Sequence, residues 1–588
     1  MSDPMTTTPA PTLGRPRPLV LVRGFGSLGV GDEQRNPYQG FNEGSVYPGK
    51  RGENFIYEGF VLRAVKAPRL RYVDATNVVS YHRRPVPGPE ECAGFDPGDV
   101  GGDRIVLDPD QARSLAARVG GIAGTLWIYR YYDLEPRSMT TFADGLLRLI
   151  HLIRRVAAVT GAPFDGVDVV AHSMGGLITG QAIRQLSAAH RAEQGQVGTA
   201  PGSAPLRHPH PGAVIHKVVT LGTPHRGIAF QILPRWLTSA VPGGAADELA
   251  AFDPRQKVFH EVVRTFDPRR ILTVVGTDFR SYGVAVASAG NRLASLFDEG
   301  TLLTNRSDGL VKQSAAQLPG SPRTFVHKCH GGEDSLVTSR EAYEIAMRFL
   351  HGTHHVRLSL EEARVLTGLD TFGRSELYLG VRIKPRGPDF DLFHQSPEAQ
   401  NCYGPFRSAA LDDPLPALAE ELARPLAEDG DDTTYWAGDR PGERLIWEGW
   451  VDERDVLDPL DPELVFRLDV SVTERDSLGV AASDTIVFRK QYFVQVFPGS
   501  PIRVFVHTDS RRLGPGTSSR LATSEQAAET ASRAAGEALG DEGGPSPDVQ
   551  EATPVEGDSG AWLFRVAGTG FRGTFRLGVE RVPPDATT

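Results

Sequence analysis

Ser173 stands within Val167–Gly180, VDVVAHSMGGLITG, between a run with the texture of a buried strand and a helix that begins on small residues. A serine on so sharp a strand-to-helix turn occupies strained backbone, so the residues two before and two after it must be small; here they are Ala171 and Gly175. The turn lifts Oγ clear of the sheet, and the amide of Met174, opening the helix, points at the oxygen on which negative charge would develop. That is chemistry for nucleophilic attack on a carbonyl. It needs a base to take the hydroxyl proton and a carboxylate to orient the base. Two imidazoles, His327 and His330, lie in Phe325–Val337, FVHKCHGGEDSLV, and two acids, Asp278 and Asp308, lie at or beyond the strand-like Ile271–Thr277. His172 adjoins the nucleophile, cannot easily turn back on it, and reads as shaping the pocket.

The elements that must position these groups alternate along the first part of the chain. Pro18–Val22 is a short continuous apolar run, the pattern of a strand buried on both faces, and it ends in Arg23-Gly24-Phe25-Gly26. Gly124–Tyr129 is the next clear strand. Phe142, Leu146, Leu149, Ile150, Ile153 and Val156 then recur at a helical period behind a Thr-Thr cap and lead into the Ser173 strand. Ala213–Thr220 and Ile271–Thr277 are further strands, and Glu341–Leu350 is a closing helix. Strand, helix, strand, turn, helix is βαβ logic and predicts a mainly parallel sheet flanked by helices.

The stretch VAHSMGG resembles the elbow of the α/β-hydrolase lipases and esterases, the bacterial lipase and PGAP1-like branch in particular, and the resemblance covers roughly residues 18–350. It implies a Ser, acid, His chain order. Asp308, in SDGLV, resembles the segment that supplies the acid, with the following Gly309 permitting the turn; Asp278 is the alternative. The resemblance puts the base on the loop after the last strand, where His330 lies, whereas His327 falls on the strand and is less free to swing toward Oγ. It also implies that the amide of Phe25, after Gly24, is a second oxyanion donor beside Met174, although Arg23 stands where the family usually has His. GTPHRG, Gly222–Gly227, looks like a buttressing loop, which makes His225 a poor base.

At 588 residues, with 40% apolar and 23% charged composition, the chain is an ordinary globular one with more than one domain. The expected division is a disordered leader over 1–17, a catalytic α/β-hydrolase domain over 18–352 with a lid or an αα unit at 228–268, and a β-rich accessory domain over 355–588. Strands near 377–383, 444–451, 464–472, 485–497, 502–507, 561–567 and 573–582 predict an antiparallel, sandwich-like domain, interrupted by a low-complexity insert at 509–557. Gly557-Asp558-Ser559-Gly560 copies the local string of a trypsin-like nucleophile, but the companion His and Asp segments are lacking, so it reads as a turn before a strand.

A net charge of −10 argues against nucleic acid as a partner. The histidines at 208 and 210 read as solvated loop residues, and the three cysteines have no metal spacing, so neither a metal nor a cofactor is expected. Without an apolar leader or an 18-residue apolar run, the expectation is a cytoplasmic protein, with export by another route left open. The expected activity is hydrolysis of carboxylic esters, lipid or acyl esters foremost, through an acyl-Ser173 intermediate. Acyl transfer or thioester hydrolysis by the same residues is the alternative within enzymes, and a silent scaffold the alternative outside them. The C-terminal domain would then contact a lipid surface, a protein, or the catalytic domain itself.

Overall fold

The computed structural model describes residues 16–24, 59–67, 70–75, 114–131, 138–196, 209–228, 259–281, 306–365, 375–407, 417–423, 444–453, 463–476, 485–508 and 549–583, apart from one- or two-residue gaps within them. The leader to residue 15, residues 229–258 of the segment 228–268 expected to form a lid or an αα unit, Phe25, His208 and most of the low-complexity insert (509–548) lie outside the described residues.

The first part of the chain runs β1 (Leu19–Val22), α1 (Phe60–Lys66), β2 (Val73–Asp74), β3 (Thr125–Tyr129), α2 (Met139–Thr160), β4 (Val167–His172), α3 (Met174–Gln196), α4 (Pro211–Val214), β5 (Ile215–Leu221), α5 (Phe259–Thr265), β6 (Ile271–Gly276), β7 (Arg323–Val326) and α6 (Arg340–His351). Its seven strands form one sheet in the order β2-β3-β1-β4-β5-β6-β7, and every neighbouring pair is parallel. The side-chain alternation of β1 shows the layering. Val20 and Val22 pack with α2 and α3 on one face, while Leu19 and Leu21 pack with α1 and α6 on the other. A strand covered on both faces has no polar side to declare, hence its unbroken apolar sequence. β1 leads to β3 on one side, and the chain then returns to place β4 on the other. The strand order therefore reverses between β1 and β4, and a crevice opens beyond their carboxyl ends.

Two local differences from the sequence reading have simple causes. Helix α2 is capped by Ser138, whose Oγ accepts the Thr141 amide at 3.1 Å, and not by the two threonines that follow. A serine just outside the helix can reach back to the third amide, whereas residues already inside it cannot. Ala213 and Val214 close the short α4 rather than opening β5, because Pro211 starts a helical turn capped by His210, whose Nδ1 accepts the Gly212 amide at 3.1 Å.

The rest of the chain is β8 (His354–Val365), β9 (Ser375–Pro385), β10 (Phe393–His394), β11 (Tyr403–Phe406), α7 (Leu418–Ala423), β12 (Leu445–Val451), β13 (Leu464–Asp476), β14 (Thr485–Phe497), β15 (Arg503–His507), β16 (Val549–Glu551), β17 (Thr553–Val555), β18 (Asp558–Gly568) and β19 (Phe571–Arg581). Every pair of these named strands is antiparallel. One sheet has the order β10-β9-β13-β14-β15-β16 with β11 also on β9, and the other is β12-β8-β19-β18-β17. They pack face to face through Trp447 on Phe466 (5.4 Å between ring centroids) and Phe488 on Phe571 (5.1 Å). The fold is thus an α/β-hydrolase sheet followed by an antiparallel β sandwich. Residues 549–555, expected within the low-complexity insert, are edge strands of these two sheets. Asp558, in the trypsin-like string, opens β18 and pairs with Arg576.

One apolar core runs from Leu21 and Val274 of the parallel sheet, through Phe349 of α6, to Leu358, Phe466 and Leu577 of the sandwich. Among the described residues, no helix is long and apolar enough to cross a membrane.

Candidate active site

Ser173 sits between β4 and α3 with φ of 53°, in the left-handed region that non-glycine residues rarely adopt. Its amide donates to Leu221 O at 2.9 Å and its carbonyl accepts from the Gly176 amide at 3.0 Å, so the strained turn is tied at both ends. The glycine requirement is physical. A Cβ on Gly175 would stand 2.3 Å from Val22 O, and one on Gly176 would stand 2.2 Å from Thr223 Oγ1. Gly24, at the end of β1, approaches so closely that its Cβ would lie 2.7 Å from Ser173 Cβ. The serine therefore occupies the crevice between β1 and β4. Met174 is the first residue of α3, where helix geometry leaves the amide without an intrahelical acceptor.

Two further loops converge on the serine. His330 Nε2 lies 2.9 Å from Ser173 Oγ, and its Nδ1 lies 2.8 Å from Asp308 Oδ2. The carboxylate accepts from Nδ1–H, which leaves Nε2 as the acceptor for the serine hydroxyl. Asp308 is itself oriented: its Oδ1 accepts the amides of Leu310 (3.0 Å) and Val311 (2.7 Å). Its carbonyl accepts the His330 amide at 2.9 Å, so acid and base loops are joined by backbone as well as side chain. Ser173, Asp308 and His330 are 6%, 1% and 4% exposed, and in so dry a setting these hydrogen bonds are strong and costly to leave unmade.

The alternative residues stand elsewhere. Asp278 turns back on its own chain, accepting the amides of Arg280 (3.0 Å) and Ser281 (3.2 Å) and the Ser281 hydroxyl. Burial pushes its carboxyl up, but these hydrogen bonds outweigh it and hold the group below the usual carboxylate range. His327 meets Thr277 Oγ1 at 3.1 Å and stacks on His394. His225 meets Thr220 Oγ1 at 3.0 Å, and burial lowers its pKa to about 3. Cys329 is buried beside the base, and burial raises its thiol to about 12.

His172 does more than shape a pocket. Its Nε2–H donates to the carbonyl of His330 at 2.9 Å, fastening the base-bearing loop to the end of β4. Burial, reinforced by the facing His330 ring, lowers its pKa to about 3, so the imidazole is a neutral fixed donor. The sequence reading gave Gly222 only a buttressing loop and passed over Gly276. A Cβ on Gly222 (φ 56°) would meet Asp308 Oδ2 at 2.8 Å and His330 Nδ1 at 3.2 Å, and one on Gly276 would meet Asp308 Cβ at 2.7 Å. Their signal was available: each is the glycine that ends a buried parallel strand, where backbone must pass close to the site.

No family model and no curated protein matches the chain. Solved structures with a weak likeness include phospholipase PlaB from Legionella pneumophila, at 12% identity over 61% of this chain and 80% of that one, with a TM-score of 0.23. The same phospholipase in complex with thio-NAD is similar at 10% identity over 64% of this chain and 86% of that one, with a TM-score of 0.24. At such similarity neither bears on the site.

Among the described residues no cluster of three or more His, Cys, Asp or Glu side chains is arranged to hold a metal ion. The arrangement present suits proton transfer from a hydroxyl to an imidazole whose second nitrogen faces a carboxylate.

Proposed function

We propose that this protein is a serine hydrolase of carboxylic esters, with lipid or acyl esters as substrates, related to the bacterial lipase and PGAP1-like branch of the α/β hydrolases. The observation that carries the reading is the continuous hydrogen-bond chain from Ser173 Oγ to His330 (2.9 Å) to Asp308 (2.8 Å), assembled from three separate loops. Ser173 Oγ attacks the carbonyl carbon as His330 Nε2 takes its proton. The charged oxygen is met by the amide of Met174 and, as the family resemblance implies, by that of Phe25, each donor contributing roughly 3 kcal/mol. His330 then passes the proton to the leaving alcohol as the C–O bond breaks, giving an acyl-Ser173 ester. Water enters, His330 deprotonates it, and collapse of the second tetrahedral intermediate returns the proton to Ser173 and frees the acid. Asp308 holds the ring in the reactive tautomer and stabilises the imidazolium of each step.

The test is fluorophosphonate labelling of the purified protein, with the modified peptide mapped by mass, beside Ser173→Ala and His330→Ala. Labelling confined to Ser173 and lost in both variants is expected, together with release of acid from p-nitrophenyl acyl esters. A folded wild-type protein that neither labels nor turns over would sink the proposal.

A further inference from the structure

Among the described residues only three non-glycine positions have positive φ: Ser173 (53°), Arg306 (38°) and Gln400 (52°). The first is the nucleophile, and the other two face each other across the junction between the parallel sheet and the sandwich. Residues 306–313 form a small hairpin with Asp308 at its tip, closed by a Ser307–Lys312 bridge and by the Gln313 amide on Arg306 O at 2.8 Å. Its base is gripped from the C-terminal part of the chain. Gln400 Oε1 accepts the Arg306 amide at 3.2 Å, and the buried Gln313 donates Nε2–H to Ala399 O at 2.9 Å.

The gripping segment, Gln395–Asn401, is built to be rigid. Gln395 Oε1 accepts the Val381 amide (3.0 Å) and its Nε2 donates to Asn401 O (2.9 Å). Asn401 returns a bond from Nδ2 to His394 O (2.7 Å) and accepts the Ser396 amide (3.0 Å). Four of its residues, Gln395, Ser396, Ala399 and Asn401, are 2% exposed or less. Polar side chains satisfied one by one in a buried loop specify a single conformation. Such a loop can pass that precision to whatever it holds.

We propose that residues 395–401 are a clamp on the acid-bearing hairpin, with Gln400 and Gln313 as positioning residues for Asp308, so that the sandwich completes the active site. The inference rests on the hydrolase reading for its catalytic consequence, but the clamp itself does not. Gln400→Leu removes the acceptor for the Arg306 amide, whereas Gln400→Glu keeps one. In the full-length protein, Gln400→Leu is expected to lower kcat on a p-nitrophenyl ester about tenfold or more with KM within about twofold, since loss of orientation strikes the transition state more than binding. Gln400→Glu is expected to restore most of kcat. Gln313→Leu should behave as Gln400→Leu does.

Hydrogen exchange of the 306–313 peptide needs no turnover and separates the two readings. Faster exchange in folded Gln400→Leu, reversed in Gln400→Glu, upholds the clamp even if the wild type hydrolyses nothing, an outcome that would count against the hydrolase reading alone. Unchanged exchange, or a folded Gln400→Leu with wild-type kcat, overturns the clamp. Equal damage from Leu and Glu also overturns it, because the accepted hydrogen bond would then be irrelevant.

Discussion

His172 and His225 show what burial does to a residue that ordinarily titrates near neutrality. Neither ring can take a proton in the folded protein until about pH 3, since desolvation opposes the charge in both and the His330 ring adds to it at His172. In the unfolded chain each takes one up near pH 6.5. Between those values the unfolded state binds more protons, so stability rises with pH across the window and is lost as pH falls through it, by up to about 1.4 kcal/mol per unit for each ring. Urea unfolding at pH 7.0 and pH 5.0 is expected to show this loss, and His225→Asn to reduce it. An unchanged slope in that variant would mean another group carries the acid sensitivity. Around neutral pH both rings are neutral, and His172 acts as a constant donor to the His330 carbonyl.

At the scale of elements, the ends of parallel strands decide the site. Gly24 lies just past β1, β4 leads into Ser173, Gly222 directly follows β5, β6 ends at Gly276, and the loop after β7 carries His330. At each of these glycines an added Cβ would press on Ser173, Asp308 or His330. Gly222→Ala tests this most sharply, because its backbone is left-handed and its Cβ would press on Asp308 Oδ2 and His330 Nδ1. The left-handed conformation costs an alanine about 1 kcal/mol. The expected outcome is a modest fall in melting temperature with a fall in kcat on the order of a hundredfold, since small misplacements of an orienting pair are amplified in the rate. A variant that loses only stability would show that the contact has no bearing on activity.

At the scale of the molecule, the two halves share one core. Phe325 of β7 packs on Phe393, Phe349 of α6 packs edge-on against Trp450, and Thr324 Oγ1 donates to Leu392 O at 2.6 Å. Removing the sandwich would bare these rings over a contiguous patch, the condition under which folded domains aggregate. A chain ended after Gly352 is therefore expected to be insoluble or to lose cooperative thermal unfolding. A soluble fragment with a sharp melt would show that the parallel-sheet half folds independently. Cys329 and Cys402 are both buried in this structure as free thiols, with burial raising each to about 12. Neither is poised for redox chemistry.

Sequence alone determined the parallel sheet, because strands covered on both faces must be solidly apolar and such runs, alternating with helical periodicity, have few other uses. It also determined the elbow, where a strained turn admits only small neighbours around Ser173. The sandwich was legible as alternating strands, yet β8 went unmarked: a β-bulge in His354–Val365 leaves the successive residues Glu361 and Glu362 both exposed, which breaks its period of two. The family resemblance favoured Asp308 and His330, but the texture of the residues themselves did not choose between the candidates. Asp278 and Asp308 each follow chain of plausible texture, and only the fold shows one bonded to its own turn and the other to His330. The same holds for His172, Gln313 and Gln400. A hydrogen bond between residues far apart along the chain leaves no periodicity behind, because its partners are chosen by the packing of whole elements and not by their neighbours in sequence.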